Sequence, residues 1–64
     1  MPKVELKIDS NAVQLTDNAE VYIFSTEGNM LFNSPKTNSI TIQNAWKDKN
    51  LYVVINGNVQ QIKF

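Results

Sequence analysis

The chain has 64 residues, with six lysines set against six carboxylates and no arginine, histidine or cysteine. That balance leaves no field to draw it to nucleic acid or an anionic membrane, and it removes disulfides and the usual ligands of a structural zinc. One domain of this size buries only about 60% of the surface its unfolded chain exposes, so stability has to come from strand packing, a partner or a larger parent chain.

Lys3 to Asp9 alternates strictly, with Val4, Leu6 and Ile8 on one face and Lys3, Glu5 and Lys7 on the other. This is the pattern of a half-buried strand, and its outward lysines suit a sheet edge. Asp9-Ser10-Asn11 predicts a turn, Ala12 to Leu15 a short strand, and Thr16-Asp17-Asn18 a second turn, because such side chains bond nearby backbone. Glu20 to Phe32 then reads as strand, turn and returning strand. Val21 and Ile23 alternate with Tyr22 and Phe24, so both faces are apolar, as expected at the centre of a sheet. Gly28 supplies the positive φ that the turn at Thr26 to Asn29 needs.

Beyond the returning strand, the polar stretch Asn33 to Ser39, with Pro35 inside it, is expected to be a loop. Ile40 to Gln43 predicts a strand with Ile40 and Ile42 inward. Asn44 to Asn50 is too short for a stable helix but long enough for one turn around Ala45 to Lys49. Leu51 to Ile55 is almost wholly apolar, a second central strand. Asn56-Gly57 is the strongest local signal, since both positions tolerate the positive φ of a type I′ turn. Val59 to Phe64 returns as the last strand, with Ile62 and Phe64 on one face. Six or seven short strands without a helix predict an all-β fold, a sandwich or a small barrel, in one domain over residues 1–64.

Val21-x-Ile23-Phe24-Ser25-x-x-Gly28-Asn29-x-Leu31 resembles the Val-x-Ile-Tyr-Asp-x-x-Gly-Arg/Lys-x-Val pattern of the C-terminal sorting domains of the Bacteroidetes type IX secretion system. Downstream, Ile40 to Gln43 is similar to that family's next strand, Asn50-Leu51-Tyr52-Val53-Val54 to its Gly-x-Tyr-x-Val, and Gln60 to Phe64 to its lysine-bearing final strand. The likeness covers about Val21 to Phe64. The family's opening Pro-Asn-Pro is missing, Asn29 replaces its basic residue, and Trp46 stands one residue farther from Tyr52 than its leucine. Asn50 stands where the family has a turn glycine, a substitution that asparagine's tolerance of the left-handed region allows. The resemblance implies a small immunoglobulin-like antiparallel β-sandwich of six or seven short strands that serves as a non-enzymatic export address gripped by outer-membrane machinery, and an extracellular or cell-surface destination for a longer exported protein of which these residues are a piece. Met1-Pro2-Lys3 itself runs straight into the alternating pattern without a leader.

Chemistry is thinly provisioned. Without cysteine or histidine the commonest nucleophile, base and metal ligand are missing, and Ser10, Ser25, Ser34 and Ser39 have no base in a recognisable motif. Asp9, Asp17, Glu20 and Asp48 read as solvated turn residues, and Asp9, Asn11, Asp17 and Asn18 lack the spacing of a calcium loop. No catalytic residue, cofactor or metal site is expected, and no apolar run approaches the roughly 20 residues of a membrane-spanning helix. Recognition is the remaining function class, with Trp46, Tyr52, Lys63 and Phe64 as its candidate surface and the last hairpin, Leu51 to Phe64, as its place, although Trp46 reads more readily as a plug for an open end of the fold, with the other aromatics packed in the sheets. The partner would be a protein, the export machinery. The rival is a stand-alone binding or assembly module that contacts protein or carbohydrate through Trp46 or pairs with another copy through an open edge.

Overall fold

The computed structural model describes residues 3–64; the reading made of Met1-Pro2 lies outside them. The fold is all-β. Five strands run β1 (Leu6–Ile8), β2 (Ala12–Ser25), β3 (Met30–Thr41), β4 (Asn50–Ile55) and β5 (Asn58–Lys63), with one 3₁₀ turn at Asn44–Trp46. Every pairing is antiparallel, in the order β1-β2-β4-β5, with β3 along the other side of β2. One edge of β2 therefore bonds to β3 over most of its length. Its opposite edge carries β1 on the first half and β4 on the second, and the single sheet curls around a shared core.

Strand count is where the structure departs most from the sequence expectation. The turn expected at Thr16-Asp17-Asn18 does not end a strand, and the loop expected at Asn33 to Ser39 is strand throughout, so four short pieces become two long strands. The turn-forming residues act as a bulge instead. β2 advances from Gln14 to Ala19 while β3 moves only from Ser39 to Thr37, and the surplus residues swing β2 into its second half. Within the bulge the Asp17 carboxylate accepts the Asn18 N–H at 2.8 Å. Glu5 holds the near side, its N–H donating to Thr16 Oγ1 at 3.0 Å and its C=O accepting the Thr16 N–H at 3.0 Å. Pro35 is tolerated in β3 because β3 is an edge, and a second register shift occurs beside it.

Bulging costs β2 no change of face. Val13, Leu15, Ala19, Val21 and Ile23 are all buried, joined by Ile40, Ile42, Trp46, Leu51, Val53 and Ile55. Val4, Leu6, Phe32, Ile62 and Phe64 pack around this cluster half-covered. Ile8 shares Val13's face through the register, yet it is 43% exposed because it lies at the outer end of a three-residue edge strand. The first alternating run thus points as expected but contributes only its Val4–Leu6 end to the core.

Both turns follow from their residues. Gly28 (φ +91°) closes the β2–β3 hairpin, with the Gly28 N–H bonded to Ser25 C=O at 2.9 Å and the Ser25 N–H to Asn29 C=O at 2.8 Å. Asn56 (φ 48°) and Gly57 (φ 85°) make the expected I′ turn. Asn56 also clamps the bulge of β2, donating its N–H to Glu20 C=O at 2.9 Å and accepting the Glu20 N–H on Oδ1 at 3.0 Å. The left-handed position before β4 is Asp48 (φ 63°), not Asn50, which is ordinary strand. Asp48 follows the end of the 3₁₀ turn at Trp46 by two residues, and the Lys49 N–H returns to Trp46 C=O at 3.2 Å.

Candidate functional site

Alternation carries the four residues expected at a recognition surface to two different places. Trp46 faces inward and is 5% exposed, its ring edge-on to Phe32 (6.3 Å, 78°) and to Phe64 (6.0 Å, 73°). The 3₁₀ turn lowers the indole over the open end of the curled sheet, where its large apolar area is worth more to a small core than to a ligand. Phe64, half-buried, completes that stack, its N–H donating to Lys49 C=O at 2.9 Å. Trp46 thus turns little of its surface to solvent, and Phe64 serves it as packing.

Tyr52 and Lys63 lie on the other side of the sheet. The registers Tyr22↔Val54↔Val59 and Phe24↔Tyr52↔Gln61 set two rows across β2, β4 and β5, and directly opposed residues share a face. Asn33 extends the first row on β3 and Met30 the second, while Lys63 stands beside Asn50 at one end. Tyr22, Phe24, Tyr52 and Val54 are half-buried by one another, and Val59 and Met30 are 64% and 55% exposed. The Tyr22 and Phe24 rings run nearly parallel, centroids 6.3 Å apart and planes at 27°. This outward face is a continuous apolar and aromatic strip rimmed by Asn33, Asn50, Gln61 and Lys63.

Sequence reading found Tyr22, Phe24 and Tyr52 as aromatics with two-sided alternation but left out Met30, Val54 and Val59. The signal for these three was the pairing register, fixed for β4 and β5 by the two-residue Asn56-Gly57 turn. Elsewhere, a cleft of about 460 Å³ opens beside Trp46, with Glu27 and Lys49 as its charged groups. Among the described residues, no three carboxylates gather to hold a metal, and no helix is long and apolar enough to cross a membrane. Compared with protein families, curated proteins and solved structures, the chain matches none.

Proposed function

We propose that this chain is a non-enzymatic recognition domain of immunoglobulin-like sandwich type, acting as a C-terminal sorting signal that outer-membrane export machinery grips as a folded surface. One observation carries the reading. The residues that resemble the type IX sorting domains form one contiguous antiparallel unit, β3-β2-β4-β5, in which Val21, Ile23, Ile40, Leu51 and Val53 face the core. Their neighbours Tyr22, Phe24, Tyr52 and Val54 leave an aromatic strip outward, which supplies the rigid contact area a partner needs. The recognition surface is therefore this strip, with Tyr52 at its centre and Lys63 at its rim. The test is a fusion of residues 1–64 to the C-terminus of a periplasmic reporter in a bacterium with a working type IX system. Surface delivery that fails in a Phe24→Ser/Tyr52→Ser double variant supports the reading, and a reporter that stays in the periplasm with the native domain sinks it.

The rival reading, a self-standing binding or assembly module, draws support from a different observation: the six regular residues of β5 pair only with β4 among the described residues. Purified domain that binds glycans or a protein strand, in a cell with no export system of this kind, decides for it.

A further inference from the structure

Three strand edges of the sheet carry no partner strand among the described residues, and they are not alike. β1 is three residues long. β3 is twelve, but Leu31 and the Pro35–Lys36 pair are surplus to its register with β2, and its outward Ser39 groups are consumed at home: Thr37 Oγ1 donates to Ser39 C=O at 2.8 Å and accepts the Ser39 N–H at 3.3 Å. Shortness, bulges, proline and lysine are the devices by which sheets discourage edge pairing. β5 has none of them except Lys63 at its end.

The ladder fixes which groups β5 leaves outward. A two-residue I′ turn makes Ile55 and Asn58 a hydrogen-bonded pair, so Gln60 with Val53 and Ile62 with Leu51 follow, in phase with the Phe64-to-Lys49 bond. The N–H and C=O of Val59, Gln61 and Lys63 therefore point away from β4. Among the described residues, the chain's first segment forms no ladder with that edge. Lys3 to Leu6 passes Gln60, a residue of the core-facing set, across two clefts of about 190 and 260 Å³.

We propose that this edge pairs with the same edge of a second copy of the chain, antiparallel about a two-fold axis at Gln61. The pattern is self-complementary. Val59 meets the second copy's Lys63, Gln61 meets its own equivalent amide to amide, and no like charges stand opposite each other. On the core-facing side Gln60 falls beside the second copy's Ile62. Two four-stranded faces become one eight-stranded face, and the aromatic strips join on the same side. The pairing is isologous and closes on itself, giving a dimer and not a fibre. One strand pairing is small beside the roughly 1,200 Å² of a stable interface, so the dimer is weak and forms only at high protein concentration. The inference stands apart from the export reading, and either can fail alone.

The experiment is analytical ultracentrifugation of the 64-residue chain from about 10 μM to 2 mM, beside two variants. Gln61→Pro removes an outward N–H and leaves the β4 ladder whole, and it weakens dimerisation at least about tenfold with little change in monomer melting. Val59→Lys, at a side chain 64% exposed, sets lysine against lysine across the axis, and weakens the dimer in a way that added salt partly restores. A native chain that stays monomeric at 2 mM overturns the proposal. So does a dimer untouched by Val59→Lys, or one whose amide-exchange protection falls on β1 or β3; in those cases β5 is vacant or is kept for a strand of another protein.

Discussion

The two faces of β2 and β4 are built from the same alternating run and end in opposite circumstances. Inward, Val21, Ile23, Leu51, Val53 and Ile55 are 0 to 3% exposed and all aliphatic. Outward, Tyr22, Phe24, Tyr52 and Val54 are mostly aromatic and only half-covered, by each other. Branched aliphatics fill a thin core without polar atoms to satisfy, whereas aromatics lying on an open sheet shield the ladder beneath and still present a surface. Apolar character on both faces thus has two different outcomes: one face is closed into the core and the other stays half-open to solvent.

That contrast can be broken most severely at its lid. Trp46→Ala removes the largest core side chain and the edge contacts to Phe32 and Phe64, at a cost of about 3–5 kcal/mol. Domains of this size hold roughly 3–10 kcal/mol in total, so the variant should show a largely unfolded circular-dichroism spectrum at 37 °C. Next comes the matched pair Ile23→Ala and Phe24→Ala, neighbours on opposite faces. The first should cost about 2–5 kcal/mol in urea denaturation and the second about 1 kcal/mol, because only the first leaves a cavity. Equal losses would mean that the outward face is core, covered by something in solution.

The register that keeps the faces distinct rests on Asn56, so changes there are smaller and diagnostic. Asn56→Gly keeps the left-handed backbone but drops the side-chain bond to Glu20, at about 1 kcal/mol, while Asn56→Ala adds the steric penalty of positive φ and should cost about 2 kcal/mol. The difference between the two, read from thermal melts, separates strain from hydrogen bonding. Smallest of all, Val54→Thr on the outward face should shift stability by less than about 1 kcal/mol. If it nonetheless abolishes export or partner binding, the division of labour between the faces is drawn sharply.

How much of this could be read in advance depended on how local each determinant was. Both hairpins at Gly28 and Asn56-Gly57, the inward odd-numbered residues of β2, and the central place of β2 and β4 were legible because turn chemistry and period-two alternation act over a few residues. Thr16-Asp17-Asn18 and Asn33 to Ser39 misled for the opposite reason. Their composition fits a turn or a loop equally with a bulged strand, and the choice is made by backbone bonds to segments distant in the chain, such as Glu20 to Asn56. Asp48, two residues past the end of the 3₁₀ turn, took the left-handed position that the resemblance had assigned to Asn50. For the candidate surface, Tyr52 and Lys63 lie outward, and of the two readings open for Trp46 the burial agrees with the plug; an aromatic between polar neighbours looks alike in sequence whether it caps a core or greets a ligand.

The kink that carries β2 from β1 to β4 has a further consequence. Two halves that share both of their longest strands have no seam along which to part, so loss of either half strips the other of its hydrogen-bond ladder. Melting should therefore proceed in a single concerted step, and a protease cutting near Asp17 should leave no trimmed survivor.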